Sequence, residues 1–174
     1  METDVLVVGA GPTGLALACD LRRRGISGRV VEQADHLFPG ARGKGVQPRT
    51  LEVLDDVGVI HAMLAAGGPA PVGMVWQDGQ RQGEHRMFED VAPTASAPYA
   101  GPWLVPQWRT QEILLARLTE LGGSVDFGTA LTGLAQDADG VTATLSSDRL
   151  RSAPGTPWPR TAGAAPYADC SASR

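Results

Sequence analysis

Three glycines near the N-terminus have the spacing needed to hold a diphosphate. Gly9, Gly11 and Gly14 form a Gly-x-Gly-x-x-Gly pattern directly after the apolar run Val5–Val8 and ahead of an alanine- and leucine-rich stretch. In such a pattern the first glycine permits a tight turn, the second lets the backbone approach a pyrophosphate, and the third lets a helix pack closely on a strand. The helix N-terminus then offers unpaired N–H groups and a partial positive charge to phosphate oxygens.

An acidic residue at a suitable distance supports a dinucleotide site. Glu32 ends the next apolar run, 18 residues after Gly14. In dinucleotide-binding proteins a carboxylate about 20 residues beyond the glycines accepts hydrogen bonds from ribose hydroxyls. Glycine triplets also occur in plain loops, so the prediction depends on the strand, the helix and the acid occurring together.

A basic, glycine-rich segment follows Glu32 and extends to Gln47. Because it contains Arg42 and Lys44 shortly after the predicted nucleotide site, it could supply cations to phosphates. A solvated loop with ordinary surface charge explains the same residues equally well. The sequence leaves both interpretations open.

The elements that must position these residues begin with a strand–helix–strand unit. We predict a strand over Asp4–Val8, a helix over Pro12–Arg24 ended by Gly25, and a strand over Arg29–Glu32. A unit of this kind predicts a parallel sheet with a right-handed crossover.

The rest of the chain alternates helices with period-two segments. The apolar spacing predicts the following helices: Arg49–Val57, Val59–Ala66 and Arg109–Leu121. Strands are expected at Trp103–Val105 and at Ser124–Phe127. Antiparallel hairpins are expected around Asp78-Gly79 and Asp139-Gly140. The fold class is therefore α/β, a Rossmann-like domain with a parallel sheet and antiparallel hairpin insertions.

Composition restricts the class of protein. The chain has 174 residues, 43% of them apolar, and a net charge of −4, which fits one globular domain. It contains no apolar run of about 18 residues and no basic, apolar leader, so we expect a cytoplasmic protein without a membrane segment. The arginines at 22–24 suit a helix C-terminus better than a nucleic-acid surface. Cys19 and Cys170 lack metal-like spacing, and Cys19 is expected to be buried.

The sequence resembles the flavin-dependent aromatic hydroxylases, the class A monooxygenases, and in particular their polyketide and rifampicin-type branch. The resemblance covers about residues 3–146. It is carried by the following motifs: Gly9–Leu15, Glu32, Arg42, Arg49–Leu54, Val105–Gln107 and Asp137–Ala143.

The resemblance implies an FAD site and an enzymatic activity. Gly9, Gly11 and Gly14 would contact the pyrophosphate and Glu32 the adenosine ribose, with Pro12, Thr13 and Gln33 as further cofactor-binding residues. Arg42 and Gln107 would lie along the phosphate and ribityl chain, although Gln107 is equally typical of a polar residue at a helix start. No catalytic or metal-binding side chain is predicted. NAD(P)H would be the reductant, with NADPH the expected form, and the substrate a small planar aromatic such as a polyketide. An NAD-dependent dehydrogenase fits the hairpins and the Arg42 loop less well.

The sequence departs from the family beyond residue 146. Residues 1–146 match part of an FAD-binding domain, with 73–106 as an insertion toward a substrate domain, whereas 147–174 have the composition of a disordered or non-native tail. An alternate reading frame from about Asp148 permits an Asp-Gly segment typical of the family. We therefore hypothesise a frameshift and a truncated chain, which the nucleotide sequence would test. The alternative function is a catalytically inactive binding module, with a homo-oligomer or a complementary chain supplying the missing half.

Overall fold

The computed structural model describes residues 2–89, 91–138, 140–146 and 149–152. Its helices are α1 (Pro12–Arg23), α2 (Pro48–Val57), α3 (Ile60–Ala65) and α4 (Gln107–Glu120). Its strands are β1 (Glu2–Thr3), β2 (Val5–Val8), β3 (Gly28–Val31), β4 (Gly45–Val46), β5 (Gly68–Pro69), β6 (Gly73–Gln77), β7 (Gln80–His85), β8 (Trp103–Leu104), β9 (Val125–Asp126), β10 (Leu131–Asp137), β11 (Gly140–Leu145) and β12 (Arg149–Ser152).

A parallel sheet forms the centre of the fold. Its strand order is β2-β3-β9, and β2 and β3 pair in register from Val5 opposite Gly28 to Val8 opposite Val31. The strand–helix–strand unit predicted from the sequence is therefore confirmed. Alternate residues of β2 point to opposite faces, so that Val7 packs against the helices and Leu6 against a second sheet.

The helices cover one face of the parallel sheet because their apolar positions recur at helical spacing. Leu15, Ala18 and Cys19 of α1 are buried with Leu114 and Leu118 of α4 in the main core. The same pattern predicted the inward face of α1, including the burial of Cys19. Proline begins α1 and α2, as its fixed φ and missing N–H favour.

A mixed four-stranded sheet, β1-β12-β11-β10, covers the other face. Ala143 and Leu145 of β11 are buried together with Leu6 and Val31 of the parallel sheet. The domain is thus a sandwich of helices, parallel sheet and mixed sheet. The strand β12 lies within the segment 147–174, whose composition is typical of a tail. The remaining residues of that segment, 147, 148 and 153–174, lie outside the described residues.

The hairpin predicted around Asp78-Gly79 forms from β6 and β7, with both turn residues at positive φ. Its apolar side chains are exposed, with Met74 and Trp76 each 61% accessible. Trp108 of α4 is also exposed, at 41%, whereas Trp103 packs against the main core.

The longest described helix, α4, has 14 residues. None of the helices in the described part of the chain combines the length and the apolar character that crossing a bilayer would require.

Candidate functional site

The glycine turn joins β2 to α1 as the sequence predicts. Gly9 has a φ of +102°, a conformation that side-chain-bearing residues rarely adopt. A Cβ added at Gly14 would lie 2.1 Å from the Gly9 carbonyl oxygen, so this glycine permits the close contact of helix and strand. A Cβ added at Gly11 would meet no protein atom within 4 Å. The space beside Gly11 is therefore open to a ligand.

The N-terminus of α1 is suited to an anion. Gly11 is the N-cap residue and provides no side-chain cap, and the first turn contains no acidic residue. Pro12 has no N–H, so the amides of Thr13 and Gly14 begin the helix without a capping side chain. The helix dipole and these amides together favour phosphate oxygens at this point.

Glu32 lies directly beside the turn, although it is 18 residues beyond Gly14 in sequence. The Ala10 N–H donates to its Oε2 at 2.8 Å, and the Ala34 N–H donates to its Oε1 at 3.0 Å. Each carboxylate oxygen has a further lone pair with which to accept a hydroxyl. Glu32 thus shapes the turn and has the capacity to bind a ribose. Gln33 follows it as an exposed residue in a bend.

The basic segment after β3 is held against α4 and β8. The Arg42 N–H donates to Gln107 Oε1 at 3.0 Å, and the Val105 N–H donates to the Lys44 carbonyl at 2.7 Å. The Arg42 guanidinium lies 4.9 Å from the centre of the Phe38 ring. Arg42 and Gln107, which are 65 residues apart, are therefore brought into contact.

Two features of this region are not predicted by the sequence pattern. The strand β4 lies in the basic, glycine-rich segment after Glu32, and it pairs with β8 through Gly45 and Val46. Gln111 is 1% exposed, and its Oε1 accepts from Gln107 Nε2 at 3.0 Å. The available signal was that the two glutamines are four residues apart, which places them on the same face of a helix.

Two other titratable groups, Cys19 and Asp56, take part in contacts between helices. Burial raises the pKa of the Cys19 thiol to about 11, and its Sγ donates to the Leu114 carbonyl. Asp56 pairs with Arg23 between α2 and α1, and hydrogen bonding from that arginine lowers the pKa of the carboxyl group. Among the described residues, no cluster of histidine, cysteine or acidic side chains could hold a metal ion.

A separate cavity of about 330 Å³ lies among the segments that flank β6 and β7. Its wall is mainly apolar, including Phe88 and Trp103, with Arg86 and Tyr99 as polar contributors. None of the predicted cofactor residues contributes to its wall. The cavity and the glycine turn are therefore two distinct features of the domain.

Comparison with known proteins assigns the chain to a family. Residues 2–153 match the family model described as an FAD binding domain. The chain belongs to this FAD-binding family. The FAD-binding domain matches a flavin-dependent monooxygenase of Mycobacteroides abscessus with 46% identity over 146 residues, covering 82% of this chain and 31% of the relative. It matches a rifampicin monooxygenase of Streptomyces venezuelae with 36% identity, covering 85% of this chain and 30% of the relative.

Solved structures agree with this assignment. The anhydrotetracycline hydroxylase OxyS of Streptomyces rimosus is 35% identical with a TM-score of 0.68, and the match covers 88% of this chain and 30% of that one. Aklavinone-11 hydroxylase, solved with FAD and aklavinone, is 34% identical with a TM-score of 0.71, over 87% of this chain and 31% of that one. The FAD-binding domain thus spans slightly less than a third of the length of these relatives.

Proposed function

We propose that this chain binds FAD across the β2–α1 turn and is the cofactor-binding part of a cytoplasmic flavin-dependent monooxygenase. The observation that carries the proposal is the open space beside Gly11, at a helix N-terminus without a cap and next to the Glu32 carboxylate. A diphosphate would fill the space that a Cβ would otherwise occupy. The donor set therefore fits the cofactor named by the family.

Each predicted residue would have a defined task with FAD. The amides of Thr13 and Gly14 would donate to the diphosphate, with Pro12 starting the helix that orients them. Glu32, with Gln33 beside it, would accept from the adenosine ribose, and Arg42 would offer its guanidinium to the phosphate side. After its two contacts within the protein, the Gln107 amide retains one N–H and one oxygen lone pair with which it would bond the phosphate and ribityl chain.

The reaction we propose is hydroxylation of a small planar aromatic compound. When bound and reduced, FAD would supply the chemistry that allows O2 to react. Overall, an aromatic C–H, O2, NADPH and a proton would give the phenol, NADP⁺ and water. The protein's contribution would be to hold the cofactor and the substrate and to exclude water. The support for an aromatic, polyketide-like substrate comes from relatives that are named for anhydrotetracycline, rifampicin and aklavinone.

Two measurements test the proposal in order. Mass spectrometry and the visible absorption spectrum of the purified chain should identify bound FAD; bound NAD, or no nucleotide even with FAD added, would refute the binding step. NADPH oxidation should then rise with anhydrotetracycline as a probe, and the product should gain one oxygen atom.

A second candidate is an FAD-binding module that does not turn over alone. The exposed apolar side chains of β6 favour it, because a two-stranded ribbon such as β6–β7 is marginally stable unless something packs on it. A second copy of the chain or a complementary polypeptide would provide that cover. FAD binding without NADPH oxidation, together with a larger size in gel filtration, would support this candidate over the first.

A further inference from the structure

Gln111 is a buried polar side chain that is hydrogen-bonded to Phe38 and to Gln107. It lies in α4, is 1% exposed, and its Nε2 donates to the Phe38 carbonyl at 3.4 Å. Its Oε1 accepts from Gln107 Nε2, and Gln107 Oε1 in turn accepts from the Arg42 N–H. A buried amide is costly unless it is bonded, so these contacts constrain its position.

These contacts form a chain of hydrogen bonds, called the relay below, that runs from Phe38 through Gln111 and Gln107 to Arg42. Its donors and acceptors can be arranged in only one way. The Phe38 carbonyl can only accept and the Arg42 N–H can only donate, so the chemistry at both ends fixes which way each glutamine amide faces. Gln111 must present its Nε2 to Phe38 and its Oε1 to Gln107. Gln107 must then present its Oε1 to Arg42.

The relay ties both ends of the segment Phe38–Arg42 to one helix. The ring of Phe38 also lies beneath the Arg42 guanidinium, at 4.9 Å. Displacement of Phe38 or rotation of Gln107 would therefore move the arginine.

We propose that Gln111 is a positioning residue that fixes the Phe38–Arg42 segment and the Gln107 amide, and thereby sets where Arg42 meets the diphosphate. The effect on the cofactor rests on the proposed FAD binding, whereas the effect on the segment does not. Gln111 itself need not touch FAD.

Amide hydrogen exchange of the full 174-residue chain without cofactor tests the relay directly. Gln111→Met keeps a side chain of similar length but removes both hydrogen bonds. We expect the protection factor of the Arg42 amide to fall about tenfold while the amides of the α1 helix keep theirs. Thr110→Val is the matched control: Thr110 is buried next to Gln111, but within the described ranges its hydroxyl bonds only the Pro106 carbonyl at the start of the same helix. The Arg42 amide should be unaffected in this variant.

FAD titration of the same proteins tests the consequence. Gln111→Met should raise the FAD dissociation constant about tenfold, and Thr110→Val should leave it within twofold. Loss of Arg42 protection with unchanged FAD affinity would overturn the positioning role, and so would retained protection. If the unmodified chain binds no FAD, the proposed function fails, while a fall in Arg42 protection would still support the role of Gln111 in fixing the segment.

Gln111→Glu provides a rescue that a merely structural residue would not give. As a carboxylate it accepts from Gln107 but cannot donate to Phe38, and once protonated it can do both. After correction for the intrinsic exchange rate, Arg42 protection in this variant should recover as the pH falls, which the unmodified chain should not show. If Gln111→Met does not fold, Gln111→Glu provides the test instead. Failure of Arg42 protection to recover at low pH would then overturn the proposal.

Discussion

Adding one methyl group at Gly11 should separate cofactor binding from folding. Gly11 has φ −73° and ψ 175°, which alanine adopts without strain, and no protein atom lies within 4 Å of the added carbon. Alanine is a poorer N-cap than glycine by some tenths of a kcal/mol. It also lowers the conformational entropy of the unfolded chain, which stabilises the folded state by about 0.4–1 kcal/mol. These effects offset each other, so the Tm of Gly11→Ala should lie within about 4 °C of the unmodified chain.

The same methyl should weaken FAD binding considerably. A diphosphate displaced by the methyl would lose at least one charge-assisted hydrogen bond to the first amides of α1, each contributing roughly 1.5–3 kcal/mol. That loss corresponds to a dissociation constant raised roughly 10- to 150-fold. Isothermal titration of the apoprotein with FAD measures it.

Gly14→Ala is the contrasting variant. Its Cβ would lie 2.1 Å from the Gly9 carbonyl oxygen, so helix and strand must separate. Overpacking of this kind typically costs about 1–3 kcal/mol, which lowers the Tm by roughly 2–12 °C. If Gly11→Ala folds normally and binds FAD within twofold of the unmodified chain, the space beside Gly11 is not the diphosphate site and the proposed cofactor geometry is refuted.

Four further outcomes follow from the contacts. Glu32→Ala should weaken FAD binding by roughly 1.5–3 kcal/mol, and an unchanged calorimetric dissociation constant would remove the ribose assignment. In a Cys170→Ser background, Cys19 should react with a thiol reagent only as the chain unfolds, because the thiol is buried with a pKa of about 11; rapid labelling of the native protein at pH 8 would contradict this. That pKa is raised above the ordinary thiol value of 9.0, so the thiol's contribution to stability is complete below pH 9 and is lost as the pH rises toward 11, which urea unfolding should show relative to Cys19→Ala. Trp76→Ser should change the free energy of unfolding by no more than about 0.5 kcal/mol while reducing self-association in gel filtration, since the ring is 61% exposed.

Local signals were sufficient to predict most of the elements. The end of α1 illustrates this: Gly25 takes a φ of +72°, and the Ile26 N–H returns to the Leu21 carbonyl, as a glycine stop predicts. The hairpin turn at Asp78-Gly79 is a similarly short-range feature. In each case the residues that determine the conformation are within a few positions of one another.

The parts that sequence did not predict depend on distant partners. The two-residue strand β4 exists because it pairs with β8, 58 residues later, and it has no sequence pattern of its own. The helix α4 begins at Gln107 rather than at Arg109, since Pro106 is its N-cap. Periodicity assigns polar residues to solvent, so the burial of Gln111 was not foreseen. Exposure of the β6–β7 hairpin depends on what surrounds it, which local sequence does not encode.

FAD binding and hydroxylation, the two parts of the proposed activity, differ in how much of the required structure this chain forms by itself. At the cofactor site the turn is held by Gly9 N–H to the Val31 carbonyl and by Ala10 N–H to Glu32, and the Arg42 segment is held by Gln107. Because these loops are already ordered, binding FAD there should require little loss of conformational entropy. The hairpin, in contrast, exposes its apolar side chains: Met74 and Trp76 are each 61% accessible and Val75 is 46% accessible. We therefore expect FAD affinity to be a property of this chain, whereas hydroxylation should depend on what covers β6 and β7.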